Sequence, residues 1–133
     1  MYHAYCDGAC RVHGSKSGGW AVVLLRPDGP EEVDADAVPN TTNNRMELTA
    51  VINALDMVPQ GSTIVIHTDS MWVIGVLSRG WKAKANLDLV AQATYYQKTR
   101  TVLFQHHPRR STPELEYVDN LAASCAARLD KAR

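Results

Sequence analysis

No apolar stretch in this 133-residue chain approaches the length of a membrane-spanning helix, and the first residues lack the basic and apolar regions of a secretory signal. A soluble, cytoplasmic protein with no membrane partner is expected. Cysteine is scarce: Cys6, Cys10 and Cys125 are odd in number and unevenly spaced, which argues against a disulfide framework. Net charge is absent, 14 Lys/Arg matching 14 Asp/Glu, so the chain is not a generally basic nucleic-acid binder. There is no repeat, low-complexity tract or interdomain linker. What is present, 45% hydrophobic and 21% charged residues, suits one globular domain over residues 1–133. The charge is spread unevenly. Residues 1–60 hold four Lys/Arg against eight Asp/Glu, and residues 61–133 hold ten against six. That asymmetry permits a basic patch beside an acidic site.

The most informative stretch is Thr41-Thr42-Asn43-Asn44-Arg45-Met46-Glu47-Leu48. Thr41 or Thr42 is suited to cap a helix. Leu48, Val51, Ile52, Leu55 and Val58 recur at intervals of three and four and predict its core-facing stripe, ended by Pro59 and Gly61. Glu47 falls on that stripe. A carboxylate aimed at a core is costly unless its charge is compensated, so Glu47 calls for a cation.

In chain order, residues 2–6 read as a strand ending at Asp7-Gly8, with His3, Tyr5 and Asp7 on one face and Ala4 and Cys6 on the other. That alternation argues against a zinc site built from His3, Cys6, Cys10 and His13, although the residue types suit zinc. Residues 15–19 read as a turn, 20–26 as a second strand, Pro27-Asp28-Gly29 as a hairpin, and 31–38 as an acidic edge strand. After the organising helix, residues 63–67 form a buried, parallel-type strand ending in Thr68-Asp69-Ser70. A short helix follows over 71–77, then a basic loop with Lys82 and Lys84, a helix over 86–98 and a strand over 101–106. A last helix opens at Thr112-Pro113. The expected fold is α/β: a mixed five-stranded sheet, three strands in an antiparallel meander and two parallel, with helices on both faces. Strands 1 and 4 then lie side by side, with Asp7 and Asp69 at their C-terminal ends, where open α/β sheets usually bind ligands. Asp119 borders the stripe of Leu115, Val118, Ala122 and Cys125 and is placed to face the sheet.

Singly, each of these residues has an ordinary explanation. An Asp after a strand is usually a turn residue, and an Asn at a helix start is usually a cap. Together, four carboxylates sharing one region repel each other unless metal binds. Oxygen ligands suit Mg²⁺ or Mn²⁺, and two such ions about 4 Å apart activate water for an in-line phosphodiester displacement.

Asp7-Gly8-Ala9-Cys10, the 41–48 segment and Thr68-Asp69-Ser70, in that order, resemble the motifs of type 1 ribonucleases H, and the similarity covers nearly the whole chain. The resemblance implies a ribonuclease H-like fold and Mg²⁺-dependent cleavage of the RNA strand of RNA–DNA hybrids, leaving 5′-phosphate and 3′-hydroxyl ends. It implies that Asp7, Glu47, Asp69 and Asp119 hold two Mg²⁺ ions, with Mn²⁺ as a substitute, and that Glu47 also touches a 2′-hydroxyl. Cys10, Asn43 and Asn44 resemble residues that read the RNA minor groove, and Thr42 and Asn86 those that hold a phosphate of the DNA strand. A helix cap is an equal use for Asn86, and packing the commoner use for Trp81. A monomer with no obligate protein partner is expected.

Several positions depart from the family. Leu115 stands where an Asn is common. The loop position of a His that assists product release aligns with Arg109, inside His106-His107-Pro108-Arg109-Arg110. His13 and Met71 replace an Asn and a Gln, and the basic protrusion shrinks to Trp81-Lys82-Ala83-Lys84. These changes bear on turnover and affinity more than on reaction type, and weak, salt-tolerant hybrid binding is expected. Two alternatives stand beside this reading: a hybrid-binding module without useful catalysis, and a related nuclease of other specificity. The Asn43-Asn44 pair favours hybrids.

Overall fold

The computed structural model describes residues 1–11 and 16–131. His13, and with it part of the 15–19 turn, lies outside the described residues. The elements run β1 (Tyr2–Cys10), β2 (Gly18–Leu25), β3 (Glu32–Val38), α1 (Asn43–Asp56), β4 (Thr63–Thr68), α2 (Met71–Ser78), α3 (Leu87–Gln97), β5 (Thr101–His106) and α4 (Pro113–Lys131). The sheet order is β3-β2-β1-β4-β5. β1–β2 and β2–β3 are antiparallel, and β1–β4 and β4–β5 are parallel.

This is the mixed sheet expected from the sequence, with one difference that matters for the site. β1 does not stop before Asp7; it continues to Cys10, pairing Asp7 with Ala21 and Cys10 with Gly18 on β2. Its parallel pairing with β4 covers Tyr2 to Tyr5, so the far end of β1 is held from the β2 side alone. For the same reason β2 begins at Gly18, two residues earlier than its apolar run suggests.

Strand alternation sorts the core into two layers. Ala4, Cys6, Val22, Leu24, Ile64 and Ile66 face α1, whose Leu48, Val51 and Leu55 are fully buried against them. Burying each such side chain contributes about 1.5–3 kcal/mol. On the other face Ala21 and Val23 meet Leu115, Val118 and Ala122 of α4. The predicted stripe on α1 is therefore its core face, although regular helix ends at Asp56 and Val58 is buried just beyond it.

The helix starts follow local chemistry. Thr42 Oγ1 accepts the Arg45 N–H at 3.2 Å, Ser70 Oγ the Val73 N–H at 3.1 Å, and Thr112 Oγ1 the Leu115 N–H at 3.0 Å. Asn86 differs. It precedes α3 with φ +60° and makes no side-chain cap bond. Its Oδ1 instead accepts from Arg45 Nη1 at 3.3 Å, while Arg45 also pairs with Asp88 at 2.9 Å. The helix-cap role for Asn86 is thus replaced by a tie between the start of α3 and α1.

Candidate active site

Gly8 explains how a helix and a strand bring their carboxylates together. A Cβ at Gly8 would lie 2.4 Å from the Glu47 backbone nitrogen, so α1 presses directly on β1 at this point. Any side chain there would force the helix away. The close approach sets Glu47 beside Asp7, and the parallel register of β1 and β4, with Tyr5 opposite His67, carries Asp69 alongside.

Carboxylate oxygens of Asp7, Glu47 and Asp69 all lie within 4.8 Å of one another. Asp7 Oδ1 accepts the Gly8 N–H at 2.9 Å, but Glu47 Oε2 is buried with no hydrogen-bond partner. A buried, unpartnered carboxylate oxygen next to two more carboxylates is unfavourable in the absence of a cation. The titration behaviour reflects this. Burial raises the Asp7 carboxyl to about 7, with the Asp69 charge adding to the shift and a hydrogen bond with Glu47 opposing it. Burial, then the charge of Asp7, pushes Glu47 well above the usual carboxylate range. Asp69 is raised by burial, with the Arg109 charge working against it.

These three residues line a cleft of about 350 Å³ together with Asp119, Cys10, Asn43, Asn44 and Arg109. Asp119 is not in the three-carboxylate group. Arg110 Nη1 donates to its Oδ2, and Arg109 Nη2 lies 3.7 Å from its Oδ1. Of the remaining expected substrate residues, Thr42 lines an adjoining cleft of about 240 Å³ shared with Cys10 and Asn43. Asn86 lines neither; Arg45 ties it to α1 beyond the cleft. Cys10 Sγ donates to the Thr41 carbonyl at 3.2 Å. Trp81 is half exposed and lies over Gly75, where a Cβ would come within 2.0 Å of its ring. Packing holds the indole, and its outer face remains open beside the exposed Lys82 and Lys84.

Two features were not read from the sequence. The first is the contact of Arg110 with Asp119, since alignment drew attention to Arg109. The second is a chain of three imidazoles. His3 Nδ1 lies 2.9 Å from His67 Nε2, and His67 Nδ1 lies 2.8 Å from His107 Nε2. Tyr5 stacks on His67 with ring centroids 4.2 Å apart. Burial, then the neighbouring His107 and His3, lowers His67 to about 4, so the central ring is neutral at physiological pH. Strand alternation carries a partial signal for this chain, because His3 and His67 share the face of Asp7 and Asp69. His107 follows β5, and nothing in the sequence aims it inward.

The RNase H family model matches residues 1–125. A Ribonuclease H from Novosphingobium aromaticivorans is 35% identical, the alignment covering 92% of this chain and 94% of the relative. A Ribonuclease H from Thiobacillus denitrificans is 42% identical over 87 residues, a match that spans 63% of this chain and 57% of that protein. Among solved structures, RNase H1 from Halobacterium salinarum superposes with a TM-score of 0.80 at 27% identity, covering 96% of this chain and 98% of that one. Matched in sequence and in fold along nearly its whole length, the chain belongs to the ribonuclease H family.

Proposed function

We propose that the chain is a metal-dependent endoribonuclease that hydrolyses the RNA strand of RNA–DNA hybrids and leaves 5′-phosphate and 3′-hydroxyl ends. The observation that carries this reading is Glu47 Oε2, buried without a partner beside Asp7 and Asp69. The donor set is all oxygen and fits Mg²⁺, with Mn²⁺ as a substitute, rather than a thiolate- or imidazole-preferring metal. Asp7, Glu47, Asp69 and Asp119 would hold two ions. When bound, such a pair supplies an activated water and charge stabilisation for the leaving oxygen of an in-line displacement.

The chain's own groups bind and orient the substrate. Asn43 and Asn44 are exposed at the cleft edge, where their amides offer donors and acceptors to RNA 2′-hydroxyls and minor-groove base edges, and Cys10 lies beside them. Thr42 Oγ1 accepts the Arg45 N–H as a cap, which leaves its hydroxyl hydrogen to donate to a phosphate oxygen. Asn86 accepts from Arg45 through Oδ1, which leaves its NH₂ for the same DNA-strand phosphate. The relatives' name, Ribonuclease H, supports the substrate class. Residues 1–133 are read as one catalytic domain, monomeric, cytoplasmic and without an obligate protein partner. Among the described residues no helix is long and apolar enough to cross a membrane.

A gel assay with labelled hybrid, duplex RNA, duplex DNA and single strands, with and without Mg²⁺, tests the proposal. Only the hybrid should be cut, in its RNA strand and only with metal. Asp69→Asn should lose activity by orders of magnitude while remaining folded. Near-normal cleavage by purified Asp69→Asn would remove the two-ion reading, and equal cutting of single strands would remove the hybrid assignment.

A further inference from the structure

Among the described residues, Asp7, Glu47 and Asp69 make no ion pair, whereas Asp119 makes two. The closer partner is Arg110. Its Nη1 donates to Asp119 Oδ2 and, at 3.0 Å, to Asn120 Oδ1, and its Nη2 lies 3.6 Å from Glu116 Oε1. Arg109 stands farther off, with its side chain 74% exposed against 38% for Arg110. The guanidinium of Arg110 is thus seated among three acceptors on one face of α4, and the carboxylate of Asp119 is the central one.

The backbone is shaped to deliver it there. Arg110 has φ +56°, in the left-handed region that side-chain-bearing residues seldom adopt. Both ends of the loop are tied down. His107 N donates to the Thr68 carbonyl at 3.0 Å, its ring bonds to His67, and Thr112 caps α4. A segment fixed at both ends with an unfavourable φ between them is maintained by its contacts, and the contacts of Arg110 end on Asp119 and its helix neighbours.

On the reading that Asp119 is a metal ligand, we propose that Arg110 is a positioning residue that occupies the Asp119 carboxylate in the metal-free chain and must give it up when a divalent ion enters on that side of the cleft. A guanidinium and a divalent cation compete for the same oxygen. The competition lowers affinity for the ion that needs Asp119, while Asp7, Glu47 and Asp69 have no contact of their own with Arg110 among the described residues. The two ions are therefore bound with unequal affinity, and Arg110 sets the metal concentration at which the second one binds. The side chain performs this role from a position adjacent to Arg109, the residue that sequence alignment singles out.

The test is a Mg²⁺ titration of substrate-free protein by calorimetry, paired with melting temperature against Mg²⁺ concentration. Arg110→Met should bind its weaker ion about fivefold or more tightly than wild type. It should melt lower than wild type without metal, and the gap should close as Mg²⁺ rises. Arg110→Lys, which keeps the charge but not the planar fork, should fall between. In an Asp119→Asn background the gain from Arg110→Met should vanish. If Arg110→Met does not fold, Arg110→Gln, which still bonds Asn120, takes its place with the same expectation. A folded variant that binds Mg²⁺ as wild type does, or more weakly, overturns the proposal, as does a gain that persists with Asp119→Asn. A lowered melting temperature with unchanged Mg²⁺ affinity would mark a purely structural role and also overturns it. Wild type that binds no Mg²⁺ at all, and matches Asp69→Asn, would overturn the metal reading itself and this proposal with it.

Discussion

Two polar clusters draw on β1 and on the end of β4, with His3 and Asp7 on one face of β1. The histidines are built on positions 3 and 67, the carboxylates on positions 7 and 69. Both place titratable side chains against a sheet, yet they reach opposite solutions. A neutral imidazole has one donor and one acceptor, and His67 meets a ring partner at each of its nitrogens, His3 at one and His107 at the other. Ionised carboxylates only accept, and although Asp7 and Glu47 share a hydrogen bond, Glu47 Oε2 is left without a partner. His67, the buried member of the histidine cluster, has both ring nitrogens partnered as it stands. The carboxylate cluster leaves an oxygen unpartnered, and that incompleteness is what supports the proposal that a metal binds there.

The contrast breaks most sharply at Glu47. Glu47→Gln keeps the shape and supplies an amide donor toward Asp7, which gives the cluster an internal partner as His67 has in its neighbouring rings. Hybrid cleavage should fall roughly a hundredfold to a thousandfold or more. Thermal melting in metal-free buffer should hold or rise, because repulsion is relieved. A Gln variant that cuts hybrid normally would show that the unpaired oxygen has no catalytic meaning.

The next largest effect is on stability against pH without metal. Asp7 titrates at about 7 in the folded chain against 3.8 as the ordinary value, so the folded state binds a proton more readily than the unfolded state. Its contribution is fully present below about pH 4 and is lost as pH rises through 7. In EDTA, unfolding free energy should drop by on the order of 2 kcal/mol between pH 5 and pH 8, and Mg²⁺ should restore most of it at pH 8. Denaturant melts at the two pH values check this, and a metal-free protein more stable at pH 8 would contradict the assigned repulsion.

A smaller loss is expected from opening the histidine chain. His3→Leu leaves the buried Nε2 of His67 without its partner and should cost about 1–2 kcal/mol. Hybrid cleavage at saturating metal should be little changed. A large loss of cleavage with normal stability would mean that the two clusters are functionally one.

The smallest effect concerns charge that the fold leaves unmatched at the surface. Arg45 is paired with Asp88, but Lys82 and Lys84 make no ion pair among the described residues. Changing both lysines to Ala should flatten the slope of log binding constant against log salt by at most about two, measured on Asp69→Asn in Ca²⁺. No change would place the DNA strand elsewhere.

Much of this was legible in the chain. The three-and-four spacing from Leu48 to Leu55 marked the core face of α1, and Glu47 on that face announced a carboxylate with nowhere neutral to go. The continuous apolar run at 64–66 marked a buried strand, and alternation along β1 set Asp7 apart from Cys6. The length of β1 was less legible, because Asp7-Gly8 looks like a turn. Pairing with β2 overrides that local preference, and Gly8 is there for the approach of α1 rather than for a bend. Asn86 looked like a cap for similar reasons, until Arg45, distant in sequence, claimed its side chain.

By itself, then, the sequence determined the periodicities, the helix starts and the residue types of the site, because backbone geometry and capping act over a few residues. Only the tertiary structure decided that Glu47 Oε2 has no partner, that Arg110 rather than Arg109 is the closer partner of Asp119, and that His107 completes a chain with His67 and His3. Those outcomes depend on side chains 9 to 64 residues apart competing for the same few acceptors. Spacing along the chain carries no record of that competition; it is settled only when the sheet and its helices close around the site.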